Sequence, residues 1–358
     1  MKKFTLLLMA IVIMVPLAAL PAWAKEPATP ELTLNDAVAL ALKNSETVKK
    51  ADKEVKRTKA LRDEKQDSLG YIPTGPTGNQ EEAAYASLFS ANLTWQMSEK
   101  SLTVEQDSVA LDTCNKYWGV QLAMGALKVA EQSLKQAELD LAKARVSHRV
   151  GLISQDALLA AESKWAGAKS ALEKARNDLD AAYTAFNQMV GLWPEDRPVL
   201  TDELKFIPIG DNNVEYLVAK VLAESPSVWL ANEKVNLQKI LKELAYYTGS
   251  YQPYEAREIE LDQAKLDAVS AREATEVLVR NLFYSVRTLE ENYPAAEQAV
   301  KVAEENLRVG QIKYQVGMLT KAELAALETA LAQARQSLLE LKKSHAYYKL
   351  ALEKPWAM

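Results

Sequence analysis

Large apolar residues and alanines alternate along much of this chain at spacings of three and four. Leu127, Leu134 and Leu141 interleave with Ala130, Ala137 and Ala144. After a short break, Leu158, Trp165, Leu172, Leu179 and Phe186 interleave with Ala161, Ala168, Ala175, Ala182 and Met189. A heptad rhythm with a bulky residue at one seam position and alanine at the other predicts two long helices that approach closely as a coiled coil. The break is Val150-Gly151-Leu152-Ile153-Ser154. Gly151 suits the left-handed conformation that ends a helix, and Ser154 suits the cap of the next. The spacing predicts one helix from about 98 to 149, ~78 Å long at 1.5 Å per residue, and a return from about 155 to 190.

The same pattern recurs 166 residues later. Tyr293, Val300, Leu307 and Tyr314 interleave with Ala296, Ala303 and Gly310, and Val316-Gly317-Met318-Leu319-Thr320 follows. Thr320 and Glu323 have capping-box spacing, and Leu324, Leu331 and Leu338 begin the return seam. Near the start of each half, residues 39–55 match 219–235 at an offset of 180. The second half therefore lacks 14 residues, expected at the turn opposite the glycine tips, near 70–97 and 246–254. Residues 85–95 read equally as a strand or a helix start. Pro294 should kink its helix, because proline removes a backbone donor.

Residues 1–24 read as a signal peptide: Lys2 and Lys3, an uncharged apolar run over 4–20 broken by Pro16, then Ala22-Trp23-Ala24. The remaining divisions are 25–190 as a first repeat, 191–215 as a proline-bearing linker and 216–358 as a second repeat. An export route and an envelope location follow. Chemistry is scarce. Cys114 is the single cysteine, which excludes an internal disulfide framework and a cysteine zinc site. His148 and His345 are the two histidines and read as packed or bore-facing rings. A net charge of −5 without a basic block argues against nucleic acid. No phosphate cradle, nucleophile elbow or paired-acid site is present, so no catalytic, metal or cofactor-binding residues are expected, and the chain does not read as an enzyme.

Order, spacing and duplication together resemble the outer-membrane efflux (TolC-like) family. The residues that carry it are Leu32-Thr33-Leu34-Asn35-Asp36-Ala37-Val38-Ala39-Leu40-Ala41-Leu42, the tip Val150-Gly151-Leu152-Ile153-Ser154-Gln155-Asp156, the second tip Tyr314-Gln315-Val316-Gly317-Met318-Leu319-Thr320, and Met189-Val190-Gly191-Leu192-Trp193-Pro194. The resemblance implies a mainly α fold: a tandem repeat of long antiparallel helical hairpins that forms a trimeric α-barrel. It also implies a homotrimer docked on a periplasmic adaptor (membrane-fusion) protein and an inner-membrane pump, passively exporting small molecules or proteins. Docking would use Val150, Gly151, Leu152 and Ser154 on one tip and Val316, Gly317, Met318 and Thr320 on the other. By position, Tyr314 and Glu323 match the family's second-tip bore or gate residues, and Asp156 lies one place before the first tip's acidic site. Leu319 stands where some members carry arginine.

One feature of the family is too large for this chain. Its members insert two membrane strands per half, and a spanning strand takes ~9–11 residues. The turn near 246–254 holds less than one strand with its reversal, so a reduced or absent β-barrel is expected. Tyr71, Tyr85, Phe89, Trp95, Tyr246, Tyr247, Tyr251 and Tyr254 gather at that end, as a membrane-surface belt or an apolar plug. Asp156, Glu162, Glu323 and Glu328 would either ring the bore or lie on solvated faces. The alternative function is a non-conducting structural coiled-coil protein of the envelope.

Overall fold

The computed structural model describes residues 28–69, 79–210, 213–248 and 254–358. The expected signal segment, Tyr71, Tyr251 and the side chains of Tyr246 and Tyr247 lie outside the described residues. Helices dominate, in two runs of four. The first run is α1 (Leu34–Asn44), α2 (Glu46–Asp67), α3 (Asn79–Arg149) and α4 (Gln155–Val190). The second is α5 (Val214–Glu224), α6 (Pro226–Thr248), α7 (Tyr254–Gln315) and α8 (Lys321–Glu353), closed by a 3₁₀ turn at Pro355–Ala357. Among the described residues the only strands are β1 (Glu31–Leu32) and β2 (Val199–Leu200), paired in parallel.

Local chemistry repeats between the runs. Ser45 ends α1 and caps α2 in one residue: its N–H donates to Ala41 O at 2.8 Å, and its hydroxyl accepts from Val48 N–H at 3.3 Å. Ser225 does the same between α5 and α6, with its N–H 2.8 Å from Val221 O and its hydroxyl 3.5 Å from Val228 N. An extended backbone at one serine lets two helices meet at an angle without an unpaired end.

One open reading resolves and one boundary shifts. The strand-or-helix stretch 85–95 is helix, and α3 starts at Asn79 rather than near 98, giving 71 residues and ~107 Å. The reason is packing: this early part of α3 lies along α2, with Arg62 over the Trp95 ring at 4.4 Å and the Thr58 and Ser98 hydroxyls 2.8 Å apart. Helix α7 runs on through Pro294. Proline offers no N–H to the carbonyl four residues earlier, that of Glu290. The 14-residue shortening divides between the connector, eleven residues after α2 against five after α6, and the following helix, 71 residues against 62, offset by one residue because α6 has 23 residues against 22 in α2. Neither connector has the length for two spanning strands of ~9–11 residues each. No helix among the described residues is long and apolar enough to cross a membrane.

α3 packs on α4 and α7 on α8, while α2 lies on α3 and α6 on α7. The halves join through α3, which touches both α8 and α6. Toward the tips the order is therefore α4, α3, α8, α7, and away from them α2, α3, α6, α7. Short α1 lies across α3 and α4 over a core that includes Tyr117, Phe186 and Val190. Its counterpart α5 covers Val279, Leu282 and Val286 of α7. Tyr117 is fully buried and edge-on to Phe186, at 5.9 Å and 76°. Its hydroxyl donates to Leu32 O and accepts from Asp202 N–H, both at 3.0 Å, so the phenol fastens β1 and the linker to α3.

Candidate functional site

The tips are two copies of one helix ending. After α3, Gly151 takes φ 75°, its N–H donates to His148 O at 3.0 Å, and Leu152 N–H reaches back to Ser147 O at 2.8 Å. After α7, Gly317 takes φ 77°, with Gly317 N–H to Tyr314 O at 3.0 Å and Met318 N–H to Lys313 O at 2.8 Å. Both are Schellman endings, in which the left-handed residue must be glycine or pay in steric strain. Such endings usually fold the next apolar residue back onto the helix. Here it points outward instead: Leu152 is 77% and Met318 76% exposed. Val150 and Val316 are exposed beside them. The return helices start under side-chain caps. Ser154 accepts from Ala157 N–H at 3.3 Å. Thr320 and Glu323 form the reciprocal box, with Thr320 N–H 2.8 Å from Glu323 Oε2.

The candidate bore residues stand close to these caps. Glu323 is committed to its cap: the Thr320 backbone N–H, then its hydroxyl, hold the carboxyl below the usual glutamate range, helped by the charge of Lys143. Tyr314 is exposed on the last turn of α7, and Asp156 is exposed on the first turn of α4. No hydrogen bond or ion pair joins Asp156, Tyr314 and Glu323 to one another among the described residues. The wider acidic set is partnered within the chain. Glu162 meets Arg145 at 3.6 Å, and Glu328 meets Lys135 at 2.7 Å across the α3–α8 seam. His345 is buried beside Glu290 at 3.2 Å. Cys114 is buried in the first core, where desolvation pushes its thiol up to about 11.

A second feature lies along α7, at the edge of the helical layer. Ile259, Leu266, Val277, Tyr284 and Val302 are 49–70% exposed, and Ala295 is exposed in line with them. Their spacing alternates seven and eleven, so 259, 277 and 295, like 266, 284 and 302, stand 18 apart. Eighteen residues are five turns of an α-helix, which draws these positions into one straight stripe. The heptad reading overlooks this stripe because heptads mark the seams within hairpins. The signal that finds it is the 18-residue repeat.

Comparison of the chain with known proteins finds no matching family model and no matching curated protein. Solved structures do match over nearly full length. The CmeC outer membrane channel of Campylobacter jejuni superposes with a TM-score of 0.64 at 14% identity, covering 99% of this chain and 94% of that one. The outer membrane protein VceC of Vibrio cholerae gives 0.63 at 15%, over 90% and 95%. The open-state MtrE outer membrane channel of Neisseria gonorrhoeae gives 0.59 at 15%, over 90% and 88%. The fold is that of the outer-membrane channels. Within this fold, the glycine endings sit at the hairpin ends, and the stripe on α7 is left exposed by the other described residues.

Proposed function

We propose that this chain is one subunit of a passive export duct in the cell envelope. Three copies close into a helical tube, each presenting two repeats, 25–190 and 216–358, as neighbouring wedges. The α7 edge of one copy seats on the α4 and α2 edge of the next. The observation that carries this reading is the stripe: five large apolar residues in line on one helix, 49–70% exposed in a single chain. Burying them against a neighbour stabilises assembly by roughly 25 cal/mol per Å², and a straight stripe suits parallel staves of a cylinder.

The twin tips then share one end of the tube. Leu152 and Met318, outward-pointing and stiffly held, suit insertion between helices of a periplasmic adaptor that couples the duct to an inner-membrane pump. Energy comes from that partner; drugs or exported proteins are the cargo class. At the other end the short connectors favour a tube that meets the outer layer without crossing it on its own strands. The test is the oligomeric state and lumen of the purified mature protein. Light scattering should give three chains and electron microscopy a ring with a hollow centre. A monomer, or a solid bundle, would overturn the duct and leave a structural envelope protein.

A further inference from the structure

The linker crosses from one half to the other along the side of an open cavity. At its near end Asp202 accepts from Leu34 N–H at 2.8 Å, at the start of α1, and its own N–H donates to the buried Tyr117 hydroxyl at 3.0 Å. At its far end Lys349 of α8 donates to Ile207 O at 3.0 Å, and Ile209 N–H donates to Glu290 Oε1 at 2.6 Å on α7. Between these fastenings Leu204 packs on the first core, while Glu203 and Lys205 are exposed. The cavity holds about 920 Å³ and is bounded by α1, α3, α8 and the linker. That volume is within the roughly 300–1,000 Å³ of small-molecule sites.

Its wall is mostly apolar. Leu34, Val38 and Leu42 follow one another at four-residue steps on one face of α1, a runway of ~12 Å. Trp118 of α3 and Ala346 and Leu350 of α8 complete the apolar lining. The charged groups around it are Asp202, Glu203, Lys205 and Lys349, with His345 on the wall. They are unequally committed. Asp202 is engaged at the N-terminus of α1, where the helix dipole favours an anion. His345 turns Nε2 toward Glu290 at 3.2 Å. Lys205 makes no hydrogen bond or ion pair among the described residues, and Lys349 uses one of its three N–H bonds on Ile207 O. Two ammonium groups therefore stand against one uncommitted carboxylate, Glu203. They also share one end of the cavity, because Lys349 grips the carbonyl two residues beyond Lys205. The result is an apolar runway with a cationic mouth.

We propose that this cavity binds a single-chain carboxylate, its alkyl tail of medium length lying along α1 and its head group on Lys205 and Lys349. The occupant is a free amphiphile and not a lipid within a bilayer. Trp118 stands ~47 Å along α3 from the tipward end of that helix and ~59 Å from its start. A membrane at either end of the molecule does not reach so far. Bound there, the ligand touches α1 and α3 of the first half and α8 of the second, and stabilises the folded chain by mass action.

The test is calorimetric titration of the full chain with octanoate and decanoate, each kept below the concentration at which it forms micelles. One site per chain is expected, with decanoate bound roughly tenfold more tightly, because each buried methylene contributes about fourfold. Octan-1-ol, with the same tail and no charge, should bind at least about tenfold more weakly than octanoate, and octyltrimethylammonium weaker still, for want of charge-assisted hydrogen bonds. Lys205→Gln with Lys349→Gln should weaken octanoate by at least about tenfold and leave octan-1-ol unchanged; glutamine at 349 keeps an N–H donor. Ala39→Phe, introduced at an exposed position on the cavity, should fill the place of the tail and abolish binding. Circular dichroism checks that each variant keeps its helices, and Ala39→Phe decides if the double lysine variant fails to fold. Absence of saturable binding by either carboxylate overturns the proposal. So does octan-1-ol bound as tightly as octanoate, or octanoate binding unaltered by Ala39→Phe. After incubation with phosphatidylglycerol vesicles and their removal, mass spectrometry should find no phospholipid on the protein; a retained phospholipid overturns the single-chain assignment. None of these readings needs an assembled tube, so the site stands or falls apart from the duct.

Discussion

Gly310 lies under Leu327 so closely that any Cβ would overlap the leucine methyl, whereas the matching positions of the first hairpin, 166 residues earlier, are Ala144 and Ala161. A large knob over an empty hole in one hairpin replaces two equal residues in the other, and each solution keeps its helices close. Gly310→Ala should therefore cost about 1–3 kcal/mol by overpacking, read from denaturant unfolding, while Gly167→Ala, in open space, should cost nothing or stabilise. Glu290 sets a pH dependence. Burial pushes its carboxyl up, but the Ile209 N–H, His345 and Arg287 together outweigh burial and hold it below the usual value near 4.5. A depressed carboxylate stabilises the fold above its unfolded pKa and loses that contribution as pH falls through the folded one. Melting temperature should thus fall on acidification below about pH 4.5, and Glu290→Gln should flatten that fall. The two glycines at the tips were legible from the sequence because positive φ leaves few alternatives to glycine. Glu290 was not, since its partners come from the linker and α8, 81 and 55 residues away.

Each long helix carries more than one seam, and the seams have different periods. Heptads mark contacts inside a hairpin, and the 18-residue repeat of α7 marks an edge exposed in the single chain, which the proposed assembly would cover. Leu266→Lys with Tyr284→Lys should abolish assembly in light scattering and leave circular dichroism unchanged, because both side chains are exposed in the single chain. The tip knobs act differently. Leu152→Asp and Met318→Asp touch no packed surface, so stability should change by less than about 0.5 kcal/mol. Assembly should persist, and pull-down of an adaptor partner should be lost. Helix existence and both tips were readable from periodicity and caps. The start of α3 was not, because residues 79–97 become helical by lying on α2, a contact that local pattern does not report.

At the scale of the molecule, two similar halves are made into one body by a few cross-links. Asp107 of α3 accepts from Lys354 at 2.5 Å and from the Trp356 indole at 2.8 Å, tying the last turn to the first half. Asp107→Ala leaves the Trp356 N–H without its acceptor and should cost about 1–3 kcal/mol, seen as a lower unfolding midpoint. The amino-acid pattern by itself determined the helical class, the duplication, the positions of both tips and the shortness of the distal turns. Those properties are local or periodic, and residue spacing and backbone stereochemistry suffice to express them. Only the tertiary structure decided which helices lie side by side, that the linker belongs to both halves, and that one face of α7 is left uncovered. These depend on contacts between residues far apart in the chain, and sequence spacing carries no record of which distant surfaces meet.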